Sequence, residues 1–328
     1  MNSIATTPAH ADGKSISRNL SEEQLTLESF LDSFVSTLGK TQASTNAAIR
    51  DLTAQLMGVK SRVSESEWFE VIAPMCRAHK AAGILSEDPY TARALAKPRG
   101  FAGDAAMLDF IYSGLAPEGT SEVGRRLLQA TSHSPSGLSV IDRRNRLTAA
   151  IRLAGSEQNG ARVLAIACGH LREAQELTSR ERSDVAEIIA LDQDALAIEL
   201  VEREQPSSQT TTVNGNVRDL IAGRIKFEGL DLVYAAGLFD YLSDAVCIRL
   251  LKKMIESLAP GGRLLVGNFA PANWGRAYMD TFMDWRLIYR TPSDLRELSR
   301  KASASRPVRV EKVYTDDHSN IAYLELVV

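Results

Sequence analysis

After residue 160, short runs of aliphatic or β-branched residues alternate with segments of helical periodicity. The runs are RVLAIA (162–167), EIIAL (187–191), TTTV (210–213), DLVYAA (231–236) and RLLVGNF (263–269). Strands that alternate with helices form a parallel, doubly wound sheet. The final segment, VRVEKVYTDDHSNIAYLELVV, predicts two antiparallel strands that close this sheet. We therefore predict a doubly wound, Rossmann-like α/β fold with a seven-stranded sheet.

The chain before residue 160 shows helical periodicity and offers no strand candidate. Ser21 with Gln24, and Ser64 with Glu67, each fit a capping box that starts a helix. We predict a disordered tail over residues 1–20, a helical domain over 21–155 and a ligand-binding sheet domain over 156–328.

The composition argues against several classes of protein. With 44% hydrophobic and 24% charged residues the chain is globular, and a net charge of −3 does not favour nucleic-acid binding. The three cysteines, Cys76, Cys168 and Cys247, form no CxxC pair, so neither a disulfide scaffold nor a zinc site is expected. No signal-peptide pattern and no membrane-spanning run is present, and a cytoplasmic location is the expectation.

The residues that follow each strand are the candidates for binding, because ligands of open α/β sheets lie beyond the carboxyl ends of the strands. The first run leads into ACGHLREA, where Ala167 and Gly169 lie in a turn that can bring backbone N–H groups to a ligand. A plain strand-to-helix turn would look the same. The pattern is not GxGxxG, which argues against a nicotinamide dehydrogenase.

The second run ends at Asp192, 23 positions after Gly169, and Gln193 follows it. One carboxylate can accept both hydroxyl hydrogens of a ribose, so Asp192 predicts a nucleoside ligand. The alternative is that Asp192 or Asp194 caps the next helix, and for Asp194 we prefer that alternative.

The third and fourth runs suggest how an adenine ring would be held. Asn216 or Asp219 would bond to the adenine amino group while Val217 packs on the ring. Ala236 and Gly237 follow the fourth run and leave room for a ligand.

Taken in this order, the motifs over residues 162–269 resemble the class I S-adenosylmethionine-dependent methyltransferases. The segment LKKMIESLAPGGRLLVGNF is the most recognisable of them. The resemblance implies an enzyme that uses S-adenosyl-L-methionine. Ala165 replaces an acidic residue common in the first motif, and Leu171 replaces its usual last glycine. The ammonium group of the cofactor would then meet backbone carbonyls or a side chain from elsewhere.

A narrower resemblance includes the helical front. KPRGFAGDAAMLDFIYSG (97–114), RRNRL (143–147) and DWRLIYRTPSDL (284–295) are similar to segments of the bacterial methyltransferases that make 3-hydroxypalmitic acid methyl ester. This resemblance implies a small-molecule substrate, with a fatty acid as one candidate.

Residues 97–112 look like part of a binding site that the helical domain covers as a lid. Gly100 and Gly103 permit tight turns, and Asp104 can cap the helix that follows. We predict that Gly103 and Asp104 close over the methionine end of the cofactor, with Asp104 facing its ammonium and Tyr112 facing the same cleft. A capped helix at the domain boundary is the alternative.

Two arginines are predicted to bind carboxylates, which guanidinium groups hold by paired hydrogen bonds. Arg146 is assigned to the carboxylate of the cofactor. Arg290 is assigned to a substrate acid, with Tyr289 beside it. Solvent exposure or an ion pair is the alternative for both arginines.

Methyl transfer is an in-line displacement that needs alignment and a dry site. A carboxylate acceptor is ionised at neutral pH and needs no general base, whereas a hydroxyl or amine usually does. His170 is expected to be structural, and the sequence offers no evident base, although Tyr112, Asp240 and Tyr241 stay open. Carboxyl methylation is therefore favoured. An O- or N-methyltransferase and a non-catalytic cofactor-binding module are the alternatives, and a homodimer is compatible with the sequence.

Overall fold

A computed structural model describes residues 12–158 and 160–328. Within them, no helix has both the length and the apolar character needed to cross a bilayer. Residues Trp68–Ile72 form a π-helical turn, and Phe239–Tyr241 and Ser303–Ser305 form short 3₁₀ turns. The α-helices are α1 Asp12–Thr37, α2 Gln42–Lys60, α3 Glu65–Glu67, α4 Ala73–Ala78, α5 Lys80–Leu85, α6 Pro89–Ala96, α7 Ala105–Ser113, α8 Glu122–Ser132, α9 Pro135–Gln158, α10 Arg172–Gln175, α11 Ser179–Ser183, α12 Ala195–Glu204, α13 Val217–Ile221, α14 Asp244–Ser257, α15 Arg276–Phe282 and α16 Pro292–Ala302.

Seven strands form one sheet in the order β3-β2-β1-β4-β5-β7-β6. Strands β1 to β5 run parallel, and β7 lies antiparallel between β5 and β6. This confirms the predicted fold, including the antiparallel closing pair. The strand order reverses between β1 and β4, which marks the point where such sheets bind ligands. The strands are β1 Ala161–Ile166, β2 Val185–Asp192, β3 Thr210–Asn214, β4 Leu230–Ala235, β5 Leu258–Phe269, β6 Val310–Thr315 and β7 Ile321–Val327.

Helices cover both faces of the sheet. On one face, alternate residues of the strands, such as Leu164 and Ile166 of β1, join the buried side chains of α14 and α16 in one apolar cluster. Helix α9 packs against β1, β4 and β5, and its buried side chains are not part of that cluster, so it covers the other face. Because α9 leads directly into β1, the chain reverses there, and the first half of α9 lies near the carboxyl ends of the strands.

The chain divides into two compact units that do not follow the sequence order. A helical unit contains residues 12–96, 115–131 and 275–285, and a sheet unit contains 97–114, 132–274 and 286–328. The motif at residues 97–112 thus belongs to the sheet unit. The predicted boundary at 155/156 falls inside the last turn of α9. The role of the helical unit as a lid stays a prediction.

The predicted helix starts agree with the structure at one site and differ at another. Ser64 and Glu67 form the expected capping box at α3. Helix α1 instead begins at Asp12, so Ser21 lies inside the helix, where backbone N–H groups already have helical partners and need no cap. Residues 1–11 of the predicted tail lie outside the described residues.

A buried carboxylate organises part of the helical unit. Asp88 accepts hydrogen bonds from the hydroxyls of Thr91 (2.7 Å) and Thr131 (2.9 Å) and from the N–H of Tyr90 (3.0 Å). The side chain is fully buried and no cation is among these partners. Burial raises the pKa of the Asp88 carboxyl to about 6, against an ordinary value of 3.8.

This pKa predicts a stability that falls with pH. The folded state binds the Asp88 proton more tightly than the unfolded chain, so this contribution to stability is complete below the unfolded pKa and is lost as the pH rises through about 6. Between about pH 4 and about pH 7, the Asp88 carboxyl should lower the unfolding free energy of the wild type by roughly 3 kcal/mol, and Asp88→Asn should abolish this decrease. Denaturant titrations across the range measure it.

Glu297→Gln is the matched control for Asp88→Asn. Hydrogen bonds from Arg300 and Lys301 hold the pKa of the exposed Glu297 carboxyl down to about 2 from an ordinary value of 4.5, so its contribution to stability is complete above about pH 4.5 and is lost only as the pH falls below that value. If the unfolding free energy of Asp88→Asn changed with pH as steeply as that of the wild type, Asp88 would not be the source of this pH dependence.

Candidate functional site

The turn after β1 has a strained backbone. Ala167, Gly169 and Leu171 all have left-handed conformations, with φ of 54°, 53° and 49°. For a residue with a side chain this costs about 1–2 kcal/mol, so the turn is held by its surroundings. Gly169 has a further constraint, because a Cβ there would lie 3.0 Å from the Cβ of Ala105. The leucine found at the usual glycine position keeps the left-handed turn.

Asp192, at the end of β2, joins this turn. Its carboxylate accepts hydrogen bonds from the N–H of Gly169 (2.8 Å) and from that of Asp194 (2.9 Å). The side chain is 8% exposed, and burial raises the pKa of its carboxyl. A carboxylate offers about four acceptor positions, so the group retains capacity to accept a hydrogen bond from a ligand.

Residues 97–112, which we call the strap, cross the carboxyl ends of three strands. Ala105 packs on Gly169 after β1, as described above. The guanidinium of Arg99 pairs with the carboxylate of Asp194 after β2 at 2.6 Å. The ring of Phe101 meets that of Tyr241 after β4, edge to face, with centroids 6.5 Å apart. The strap therefore lies over the edge of the sheet where a ligand is expected.

One carboxylate fixes the strap to the first turn. Asp109 of α7 accepts hydrogen bonds from Nε (2.8 Å) and Nη2 (2.7 Å) of Arg172. Nδ1 of His170 lies 2.8 Å from the same carboxylate. Arg172 also pairs with Glu204 at 2.6 Å. His170 thus has the structural role that the sequence suggested, and the two motifs GFAGDAAMLDFIY and CGHLREA are joined by these contacts.

Arg143 of α9 is a candidate site residue that the sequence did not suggest. It is 5% exposed, and its Nη1 would lie 3.3 Å from a Cβ on Gly237, at the end of β4. Its guanidinium lies 6.0 Å from the ring centre of Phe269. It also hydrogen-bonds to Tyr112, whose pKa is raised by burial and lowered in part by Arg143. A charged group is thus buried beside the carboxyl ends of β4 and β5.

Two buried acids lie near Arg143. Glu173 accepts a hydrogen bond of 2.6 Å from the hydroxyl of Tyr234, and burial raises the pKa of its carboxyl. Asp240 accepts one of 2.7 Å from the N–H of Phe269, and burial raises its pKa to about 6. The positive charge of Arg143 opposes both shifts. A guanidinium with carboxylates near it suits the carboxylate and ammonium of an amino-acid ligand.

Arg146 does not lie in this group. Its Nε donates to Asp142 of the same helix at 2.6 Å, and its guanidinium lies over Tyr314 (5.7 Å) and Tyr323 (5.3 Å) of the closing strands. These partners disfavour Arg146 as the ligand of the cofactor carboxylate, and that assignment stays a prediction. Helical spacing offered a signal, because Arg143 falls on the buried stripe that includes Val140, Leu147 and Ile151.

Arg290 has a structural role that its sequence context did not reveal. Its Nε and Nη2 donate to Asp244, its Nη1 to the carbonyl of Phe239 and to Asn268, and its Nη2 also to the carbonyl of Leu242, at 2.6–3.1 Å. The side chain is 2% exposed. All of its N–H donors are used. No donor is left for a substrate acid, so the assignment of Arg290 as a substrate-binding residue does not fit the structure.

Several predicted residues also serve as helix caps. Asp104 accepts the N–H of Met107 at 2.8 Å and caps α7, and Asp194 caps α12. Asn216 accepts the N–H groups of Arg218 and Asp219 and caps α13. Capping does not test the ligand contacts assigned to Asp104 and Asn216, which stay predictions.

The remaining predicted residues are distributed along the same edge. Val217 packs against the apolar cluster, and Gln193 is exposed beside Asp192. Gly103 and Ala236 are partly buried in turns. Tyr289 lies between Ile288, whose N–H donates to the carbonyl of Asp240, and Arg290, whose N–H donates to the carbonyl of Phe269.

Comparison with known proteins gives a family match for part of the chain and structural similarities for more of it. Residues 163–262, less than half of the chain, match a family model described as a methyltransferase domain. Among curated proteins, none matches the sequence. A Bordetella parapertussis structure, described as a possible exported protein, is 15% identical with a TM-score of 0.60, covering 81% of this chain and 97% of its own. It shows the fold alone.

Two methyltransferase structures also align, at TM-scores too low to support an argument. The N-methyltransferase NodS from Bradyrhizobium japonicum WM9, in complex with S-adenosyl-L-homocysteine, is 16% identical with a TM-score of 0.42, covering 67% of this chain and 97% of its own. Magnesium protoporphyrin IX methyltransferase from Synechocystis PCC 6803 is 12% identical with a TM-score of 0.43, covering 58% and 84%. The domain match runs from β1 to the start of β5, and the strand order agrees with the predicted Rossmann-like fold.

Because Asp109 fixes the strap on the turn after β1, we predict that it affects cofactor binding without contacting the cofactor. Asp109→Asn removes the charge that both His170 and Arg172 meet, so the turn at Gly169 should be less well fixed. We expect affinity for S-adenosylmethionine to fall roughly tenfold or more, the effect of losing a hydrogen bond to a charged group. Calorimetry measures the affinity, and hydrogen exchange over residues 97–112 should become faster.

Asp142→Asn, which breaks an exposed ion pair on α9, is the control for the Asp109 variant. It should leave the affinity within about twofold. If folded Asp109→Asn protein bound S-adenosylmethionine as tightly as the wild type, the predicted coupling between strap and turn would be wrong.

The contacts of Arg290 predict a loss of stability rather than of substrate binding. Arg290→Met leaves two carbonyls and Asn268 without their donor, so we expect roughly 3–5 kcal/mol less unfolding free energy. Denaturant unfolding measures it. Arg296→Met, at an ion pair whose arginine is 61% exposed, should cost less than about 1 kcal/mol. A stable Arg290→Met protein would reopen the role in substrate binding.

Proposed function

We propose that this protein transfers a methyl group from S-adenosylmethionine to the carboxylate of an apolar small-molecule acid and releases a methyl ester. The observation that carries the methyltransferase site is the buried Arg143 beside Gly237, with Glu173 and Asp240 near it. The sequence resemblance favours the ester product. A homodimer and a cytoplasmic location remain predictions.

The residues present fit the proposed cofactor. Arg143 would hold the cofactor carboxylate, and Glu173 or Asp104 would face its ammonium. Asp192 would accept the ribose hydroxyls, because its carboxylate retains capacity to accept a hydrogen bond. Asn216 and Val217 would contact the adenine. S-adenosylmethionine supplies a methyl group that its sulfonium already activates.

The chain then contributes alignment and exclusion of water. The strap crosses the carboxyl ends of β1, β2 and β4, which supports its predicted role in covering the site. A carboxylate acceptor needs no proton removed. Tyr112 is a poor general base at neutral pH, because burial raises its pKa. Tyr112 and Tyr289 would serve by orienting the acceptor.

O-methylation of a hydroxyl is the second candidate. It rests on Asp240, whose pKa is raised to about 6, so the carboxylate is largely ionised at neutral pH and can accept a proton. This candidate predicts an activity that rises as Asp240 loses its proton, through about pH 6. Carboxyl methylation predicts a rate nearly constant through neutral pH.

The test combines a product assay with paired arginine variants. The protein is incubated with S-adenosylmethionine and a panel of apolar acids and alcohols, and S-adenosylhomocysteine is measured. An ester product is destroyed by mild alkali, whereas a methyl ether survives. Arg143→Met should weaken S-adenosylmethionine binding by roughly tenfold to a hundredfold. Arg146→Met, three residues along the same helix, should change it less than about twofold.

The outcomes separate the parts of the proposal. An alkali-stable product would reject the carboxylate acceptor and favour O-methylation of a hydroxyl with Asp240 as the base. Equal cofactor affinity in both arginine variants would reject the assignment of Arg143. Binding of the cofactor without turnover of any panel member would favour a non-catalytic module.

A further inference from the structure

An exposed apolar patch lies next to the proposed site. Tyr241 is 40% exposed and Ile288 is 42% exposed, although both are large apolar side chains. Phe101 of the strap is partly buried and contacts the ring of Tyr241. Single exposed apolar residues need no explanation, but two on turns joined by a backbone hydrogen bond, one of them against the ring of Phe101, indicate contact with a ligand.

The backbone around this patch is firmly held. The carboxylate of Asp240 accepts the N–H of Phe269, and the carbonyl of Asp240 accepts the N–H of Ile288 at 2.8 Å. Arg290 bonds to the carbonyls of Phe239 and Leu242, on either side of Tyr241. Tyr241 and Ile288 are therefore presented by rigid turns, a requirement for selecting between ligands.

The patch also lies on the β5 side of the proposed cofactor residues. Asp192 and Asp194 lie at the β2 end, and Arg143 lies against Gly237 at the β4 end, so the proposed cofactor residues extend from β2 to β4. Tyr241 and Ile288 lie beyond them, next to the end of β5. The nearest buried guanidinium on that side, Arg290, has all its donors engaged.

We propose that Phe101, Tyr241 and Ile288 bind the apolar body of the methyl acceptor and determine which chain lengths the enzyme accepts. This inference rests on the proposed function for the position of the cofactor. It assigns the recognition of the acceptor to apolar contact with these side chains.

The assignment predicts a dependence on chain length. Each methylene that leaves water contributes enough free energy to raise kcat/KM roughly threefold to fourfold, until the chain outgrows the patch. The probes are saturated straight-chain acids from butanoate to decanoate, assayed as S-adenosylhomocysteine formed. Phe101→Ala and the double variant Tyr241→Ser/Ile288→Ser should each flatten this rise when S-adenosylmethionine is saturating. Ile288→Ser alone, which leaves the contact between Phe101 and Tyr241 in place, should flatten it in part and leave S-adenosylmethionine affinity unchanged.

Leu196→Ser is the matched control, because Leu196 is 55% exposed on α12, away from these turns. It should keep the wild-type dependence on chain length. Tyr241→Phe keeps the ring and should do the same, which separates loss of apolar contact from loss of the hydroxyl.

The head group is varied independently of the chain. Decanoate, decanol and decylamine are compared as acceptors, and as ligands by calorimetry with S-adenosylhomocysteine present. Turnover of decanol or decylamine in place of decanoate, with the chain effect intact, would overturn the carboxylate acceptor and support the patch. Ester formation whose chain-length dependence is the same in all variants would overturn the patch and leave the function standing. If none of the three probes binds, the assignment of an apolar acceptor body fails.

Discussion

The carboxylate of Asp109 holds together the two segments from which the site is built. It accepts paired hydrogen bonds from Arg172 and contacts His170, so α7 is fixed on the turn after β1. Because this turn contains left-handed residues with side chains, it needs such external support. The contacts of Arg99 with Asp194 and of Phe101 with Tyr241 then extend the same segment over β2 and β4.

Two buried arginines of the sheet unit have opposite roles. Arg290 is saturated by protein acceptors and fixes the turns around Phe239 and Leu242. Arg143 is also buried but lies against Gly237, near two acids whose pKa is raised by burial. A buried charge needs partners. In Arg290 the protein supplies them, and in Arg143 a ligand is proposed to complete them.

The sequence predicted the fold because alternating strands and helices leave a local pattern in the chain. The capping box at Ser64 and the role of Asp194 as a cap are equally local, and both were predicted. The roles of Arg143 and Arg290 depend on which elements pack against α9 and on where the chain goes after β5. Those are long-range facts that no local motif contains, although the buried stripe of α9 distinguished Arg143 from Arg146.

The interleaving of the two compact units has a consequence for how the chain folds during synthesis. The chain passes from one unit to the other five times, at 96/97, 114/115, 131/132, 274/275 and 285/286. Neither unit is complete until α15 has left the ribosome, which happens after β5 has been made. The helical unit therefore lacks its last segment, residues 275–285, until strands β1 to β5 have been synthesised. A cut at any peptide bond between residues 97 and 285 would divide both units at once.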